Sequence, residues 1–550
     1  MEGCTVLKKQ DGNVIGVDFG TLSARAVVAD ISNGHILGVG TCEYPHGVIT
    51  EGLPAGWALA DPEDYLSSLI AAIREAFQTS HVSPESILGI GLNATASTFL
   101  PVDEACEPLS RREAFRDHPH ARMKLWKHHG ASREADALTA VAEERHEDFL
   151  ARCGGKINAE WMVPKLLETF REDPEVFSAA DAFIEIGDYL VFKLTGKRTL
   201  SDGYSGYKML LRPGEPSISP AYLDAVEPGF SRILTKRKGM PAGIGTLAGF
   251  LTPEMAETLG LVPGVPVAAG NIDAHAAIPA SGITSHGTMV VLLGTSCCSL
   301  TIHPAFHPVE GAFGIVRDGM LPGFYGYESG QNAGGDMLSW FVRNAVPAEY
   351  IREAECRGIS IHDLLTEKAS ALRPGQSGLL VLDWFNGNRS VLANMDLTGL
   401  ILGLTLKTRP EEIYRAMIEG LAFGLKAILE AHAKAGVEIR ELAASGGISY
   451  KNPLFLQIYA DVTGLPIRRL ASPEGPALGS AICAAAASCA YPDLAAAARA
   501  MGGLETSAVL PQAGNHAGYE KLYSLWLRLH DAFGRGSLPV MAELISLSKE

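Results

Sequence analysis

Apolar positions in this chain come in short runs that end abruptly at glycine or a charged residue. Val14 to Val17 and Ala26 to Ala29 are compact, apolar and rich in branched side chains, which predicts buried strands rather than helix. Between them lies Asp18-Phe-Gly20-Thr21-Leu-Ser23, so one carboxylate sits at a glycine bend. The same plan returns in Gly287-Thr-Met-Val-Val-Leu-Leu-Gly294-Thr295-Ser296-Cys-Cys-Ser-Leu-Thr-Ile302, and two such hairpins imply two similar halves. Val265 to Ala277 reads as a buried strand, a turn and a helix start. Helical spacing is expected over 119–148 and 158–177, as insertions walling a ligand site, and again from Pro410 to Ala433. The alanine-rich stretch Ala477 to Ala487 suits a helix lying close against a sheet, and one or two helices are expected past Gln512. The fold class is therefore α/β, with a boundary near Ser281 and domains at 1–281 and 282–550.

The two bends carry the first chemistry. Gly20 permits a sharp turn whose amides, with the hydroxyls of Thr21 and Ser23, can converge on anionic oxygens. Asp18 is placed to hold a magnesium ion through water, because that cation dehydrates reluctantly. Gly294, Thr295 and Ser296 offer the same groups from the other half. A polyphosphate lying between the halves fits the preference of ligands for domain clefts. Read alone, the first bend is equally an ordinary hairpin whose Asp and Thr satisfy the turn.

Length and charge narrow the class. At 550 residues the chain exceeds one core, since single cores stop growing at roughly 250–300 residues. Apolar residues make up 47%, enough for two interiors, and the net charge of −16 without a basic stripe argues against a nucleic-acid groove. Nine cysteines lack metal-ligand spacing and read as thiols of a reducing cytoplasm. The segment Met1 to Lys9 has no signal-peptide core, and no apolar run reaches about 18 residues, so no membrane association is expected. No repeat period or low-complexity tract appears. There is no Gly-x4-Gly-Lys-Ser/Thr, which argues against a P-loop kinase. Gly89-Ile-Gly91-Leu-Asn-Ala94 imitates a dinucleotide fingerprint, but Pro101 and a Ser/Thr cluster follow it instead of a helix.

A long pattern in the second half is more specific: Gly399-Leu-Ile-Leu-Gly403-Leu, a seven-residue gap, Glu412-Ile413, two residues, then Ala416-Met-Ile-Glu419. With the two bends it resembles the FGGY family of carbohydrate kinases, within the actin-like, ribonuclease H-like and heat-shock ATPase superfamily, from about Val14 to Ala487. The family's first signature is matched loosely by Glu160-Trp161-Met-Val-Pro164-Lys165-Leu. The resemblance implies two actin-like domains around a cleft, with ATP as phosphoryl donor and Mg2+ as the metal.

It assigns Gly20, Thr21, Ser23, Arg25, Gly294, Thr295 and Ser296 to the phosphates. Gly446 and Gly447, in Ser445-Gly-Gly-Ile-Ser-Tyr-Lys451-Asn452, would approach the adenosine while Asn452 hydrogen-bonds nearby, and Gly475-Pro-Ala-Leu-Gly479 continues that motif. Asp18 and Asp273 would serve the metal. Asp273, in Gly270-Asn-Ile-Asp-Ala-His275, would be the general base; by its residue type alone it could equally cap a helix beginning at Ala274. Phosphoryl transfer asks a protein for little beyond positioning, charge and such a carboxylate.

Leu92-Asn-Ala-Thr-Ala96-Ser-Thr, Leu125-Trp126-Lys127, Gly206-Tyr-Lys208 and Tyr327-Glu328-Ser-Gly-Gln331 are most similar to the ribulose-phosphorylating branch of the family. This implies Ala96, Trp126, Lys208, Asp273 and Glu328 as sugar-binding residues and phosphorylation at the 5-hydroxyl. Asn93 stands where an aspartate is expected in many such members, a departure bearing on sugar recognition rather than catalysis. A kinase of xylulose, ribitol or glycerol, or an actin-like or heat-shock-type ATPase switch, are the alternatives. A small-molecule sugar is the expected partner, with a homodimer compatible with the family.

Overall fold

The structure is a computed structural model describing residues 11–536 and 538–547. Its first half is built on strands β1 (Asn13–Phe19), β2 (Ser23–Asp30), β3 (Ile36–Glu43), β4 (Ile87–Ala94) and β5 (Pro266–Ala268). They lie in the order β5-β4-β1-β2-β3, with the strand Leu247–Phe250 outside β5. β1, β2 and β3 are antiparallel, whereas β4 runs parallel to β1 and β5 parallel to β4.

The second half repeats this plan with β6 (Thr288–Leu293), β7 (Cys297–His303), β8 (Tyr325–Gln331), β9 (Glu441–Ser445) and β10 (Ile467–Arg469). The order is β8-β7-β6-β9-β10, again with three antiparallel strands followed by two parallel ones. Parallel strands covered on both faces read as continuous apolar runs, which is why Val14 to Val17 and Met289 to Leu293 carry so little polar alternation.

Helix α1 (Pro62–Ser80) starts at a capping Asp61 followed by proline and covers the β2–β3 face. Helix α2 (Pro410–Lys434) runs through the second core, as its spacing predicted. Helix α3 (Gly475–Ala487) follows β10 in the chain yet lies on β1 and β4 of the first sheet. A Cβ on Gly16 would stand 2.0 Å from the Ala477 carbonyl oxygen, and one on Gly91 2.1 Å from that of Ser480. The glycines that imitate a dinucleotide fingerprint therefore serve helix–sheet contact. The core they create joins Val14 and Val27 to Val290, Ala443, Ala481 and Ala484, locking the two halves along one seam.

The expected long helix over 119–148 is broken. Pro119–Ala121 forms a single 3-10 turn, Met123–Lys124 pairs with Leu59–Ala60, and a true helix spans Ser132–Glu144 alone. The buried ion pair of Lys124 with Glu168, at 2.5 Å, holds this segment extended against its neighbour. Helices at Met162–Glu172 and Pro174–Ala179 occupy the second insertion, and Ala513–Gly534 and Val540–Leu547 form the helical end. Among the described residues no helix is long and apolar enough to cross a membrane. Seven described cysteines are free thiols and Cys489 is disulfide-bonded, so the expectation of thiols throughout is corrected at that residue.

Candidate active site

A cavity of about 280 Å³ opens between the halves, with both glycine bends on its wall. In the first, the Gly20 amide donates to the Ser23 carbonyl at 3.0 Å; in the second, the Gly294 amide donates to the Ser296 carbonyl at 3.2 Å. Neither glycine has a positive φ, so the bend itself does not need glycine's freedom. An added Cβ would meet no atom nearer than 3.6 Å at Gly20 or 3.7 Å at Gly294. What glycine provides here is a bare backbone face toward the cavity. Thr21 accepts a hydrogen bond from the Trp126 indole at 3.1 Å, fixing the first bend against the turn that follows Met123–Lys124.

Asp18 lies at the end of β1, opposite Arg25 on β2 and Asn93 on β4, and lines the cavity. Burial, reinforced by the negative charge of Asp273, pushes its carboxyl up to about 7. Asp273 follows the short strand Asn271–Ile272, and its amide donates to the Ala94 carbonyl at 3.1 Å. Its side chain makes no capping bond to the short helix that follows, and it lines the cavity. Burial raises its carboxyl too, against the nearby Ala274 amide and His275. Two carboxylates that resist joint ionisation fit a hard divalent cation, which would take its remaining ligands from water and phosphate. Among the described residues there is no cluster of three or more His, Cys, Asp or Glu side chains able to hold a metal alone.

The opposite wall is made by side chains of both halves. The Lys208 ammonium, at the end of helix Asp202–Lys208, donates to Glu328 Oε2 on β8 at 2.9 Å, and His275 Nε2 approaches the same oxygen at 3.2 Å. Burial would raise Glu328, but Lys208 and His275 outweigh it and hold the carboxyl well below its usual range. Glu160 bridges the halves as well, with Oε2 accepting from Arg389 at 2.9 Å and Oε1 facing His129 at 3.0 Å. Burial opposes this arrangement too, yet Arg389 and His129 bring Glu160 to about 2. Ala96 contributes to the same wall.

Of the residues expected at the site, Asp18, Gly20, Thr21, Ala96, Trp126, Lys208, Asp273, Gly294, Thr295, Ser296, Glu328 and Gly446 meet at this one cavity. Ser23, Arg25, Gly447 and Asn452 are not on its wall. Arg25 is engaged across the seam with Glu474 at 2.6 Å. Asn452 is the N-cap of helix Pro453–Thr463: its oxygen accepts the Phe455 amide at 3.1 Å and its nitrogen donates to Thr366 at 3.1 Å. Its amide group thus serves the helix start and lies off the cavity wall. Asn93 is also re-placed, since it donates to the Pro476 carbonyl at 3.0 Å and to Ser480 at 2.8 Å, at the seam rather than on the cavity wall.

Sequence reasoning missed Glu160, Trp161, Phe313 and Arg389, all on the wall. It also missed the role of Lys165, whose buried ammonium donates to the carbonyls of Ser97, Leu125 and Trp126 at 3.1, 2.6 and 2.9 Å. The loosely matched signature Glu160 to Lys165 was the available signal for three of these five.

Paired sheets of one plan, two glycine bends on one cleft and acidic groups beside a polar pocket are the arrangement expected of a kinase. Residues 13–278 match the N-terminal domain, and residues 289–488 the C-terminal domain, of the FGGY family of carbohydrate kinases; the chain belongs to that family and is an ATP-dependent carbohydrate kinase. It is 45% identical to the ribulokinase of Halalkalibacterium halodurans, with 97% of each chain covered, and 44% identical to that of Anoxybacillus flavithermus, with 96% of each covered. Among solved structures it resembles a gluconate kinase from Lactobacillus acidophilus, with a TM-score of 0.79 at 20% identity over 96% of this chain and 99% of the other. A xylulose kinase from the same organism gives 0.79 at 20% identity over 95% and 99%. These two likenesses show that the chain shares its fold with those kinases.

Proposed function

We propose that the chain transfers the γ-phosphoryl group of ATP to the 5-hydroxyl of ribulose, giving ribulose 5-phosphate and ADP. The observation that carries this reading is its identity of 44–45% to ribulokinases over 96–97% of the chain. The alternatives are kinases of xylulose, ribitol or glycerol; the xylulose kinase from Lactobacillus acidophilus is 20% identical to this chain, against 44–45% for the ribulokinases.

In this reading Lys208 and Glu328 hold sugar hydroxyls, Ala96 lines the pocket through its backbone, and Trp126 steadies the first bend through Thr21. The hydroxyls of Thr21, Thr295 and Ser296 orient the triphosphate, Gly20 and Gly294 leave the space for it to approach, and Gly446 lies against the adenosine side. Magnesium held by Asp18 and Asp273 through water would offset the charge of the phosphoryl oxygens. Asp273 accepts the proton of the 5-hydroxyl as the new O–P bond forms and the bond to the ADP oxygen breaks. Its raised carboxyl makes it a better base than an exposed aspartate. Closure around the acceptor excludes water, the competing nucleophile.

The test is a coupled ADP-release assay with both enantiomers of ribulose, and with xylulose, ribitol and glycerol. The reading expects the highest kcat/KM on a ribulose. A higher value on xylulose, ribitol or glycerol would replace it, and ATP turnover indifferent to every sugar would point to an ATPase switch.

A further inference from the structure

Three polar side-chain atoms on the cavity wall are buried without a hydrogen-bond partner: Trp161 Nε1, Arg389 Nε and Ser97 Oγ. Leaving such a donor unpaired costs roughly 1–3 kcal/mol, so their concentration at one cavity marks positions where a ligand completes the bonding. Ser97 Oγ both donates and accepts, and matches any alcohol. The two N–H groups can donate and nothing else.

Those two donors are anchored on the same ring. The Trp161 indole packs edge-on to Phe313 with centroids 5.4 Å apart, and the Arg389 guanidinium lies 4.6 Å from the Phe313 centroid. The Lys208 ammonium is 4.4 Å from that centroid as well, so Phe313 links the pair to the pocket already assigned to the sugar. Both oxygens of Glu160, the nearest carboxylate to Arg389, are already engaged, by Arg389 itself and by His129.

Resting on the ribulose reading, we infer that Trp161 and Arg389 together receive the substrate's carbonyl oxygen and thereby select a ketose over the corresponding polyol. A carbonyl oxygen has two lone pairs and no proton, so it satisfies both N–H donors completely. An alcohol at the same place could accept from both, but its own proton would then need an acceptor, and the Glu160 oxygens beside the pair are already engaged by Arg389 and His129. In ribulose the carbonyl at C2 is three carbon–carbon bonds from the hydroxyl-bearing C5, so a sugar with its terminal alcohol at Asp273 carries the carbonyl away from the phosphates. Sites built to hydrogen-bond one group discriminate against analogues that leave their donors unpaired.

The test compares kcat/KM for ribulose and ribitol in the wild type, Trp161→Phe and Arg389→Lys. Trp161→Phe keeps an aromatic ring over Phe313 and deletes the N–H, while Arg389→Lys keeps the charge facing Glu160 and deletes the Nε–H. Each is expected to lower the ketose-over-polyol preference by roughly tenfold, the worth of one hydrogen bond. Loss of packing alone would depress both substrates by the same factor. A preference that changes less than threefold in either folded variant overturns the inference, as does a wild type that uses ribitol as well as ribulose. If Arg389→Lys fails to fold, Trp161→Phe decides by the same threshold. Absence of any ribulose turnover by the wild type is a different result, which removes the proposed function itself.

Discussion

The two glycine bends are built alike and equipped differently. Each joins antiparallel strands, each closes through a glycine amide, and each exposes a threonine at the next position. Two residues before the glycine, however, the first half has Asp18 and the second has Leu292, both on the cavity wall. Asp273 also comes from the first half. On the proposed function, the second half would contribute a neutral cradle for phosphate, and the carboxylates at the phosphoryl group would come from the first half alone. On the sugar side the halves share the work, through Lys208 with Glu328 and Glu160 with Arg389.

The sharpest way to break this comparison is Asp273→Asn. Turnover should fall by about 10²–10⁴, as for loss of a general base, while calorimetry still detects nucleotide binding; near-normal turnover would remove Asp273 from the role. Next is Asp18→Leu, which copies Leu292 into the first bend and should cost about 10² in kcat/KM for MgATP. Because the Asp18 carboxyl is raised to about 7 and binds a cation in its ionised form, wild-type kcat/KM for MgATP should decline as pH falls through about 7. A profile without that inflection would place the metal elsewhere.

Glu328→Gln tests the shared sugar wall. It leaves the Lys208 charge buried without its counterion, so thermal melts should show a loss of about 3 kcal/mol and KM for the sugar should rise about tenfold. The smallest effects belong to the bends. Gly20→Ala and Gly294→Ala have room for the methyl group, so folding should change by less than about 1 kcal/mol while KM for MgATP rises a few-fold. Gly16→Ala, whose Cβ would overlap α3, should instead destabilise by about 1–3 kcal/mol in chemical denaturation.

Both hairpins, their duplication and the helix Pro410–Lys434 were legible because local apolar patterning and breaks dominate there. So was the meeting of the two bends on one cavity, since a glycine next to hydroxyls and a strand-end carboxylate form a short, contiguous motif. The helical reading of 119–148 failed because a buried ion pair with distant Glu168 overrides local spacing. Asn452 and Asn93 lie off the cavity wall for a related reason: a short polar side chain at a helix start or a seam is captured by neighbouring backbone. Glu160, Trp161 and Arg389 were illegible as a group, because what unites them is a pocket assembled from segments more than 200 residues apart, with Glu160 and Arg389 separated by 229 positions.

The central claim is that both bends hold one triphosphate while the carboxylates of the first half face the acceptor. A crystal structure with a non-hydrolysable ATP analogue, magnesium and ribulose tests it most directly. The account predicts phosphate oxygens within hydrogen-bond reach of both bends, at Thr21 and at Thr295, with Asp273 beside the 5-hydroxyl. Phosphates touching one bend alone, or a 5-hydroxyl turned away from Asp273, would contradict it.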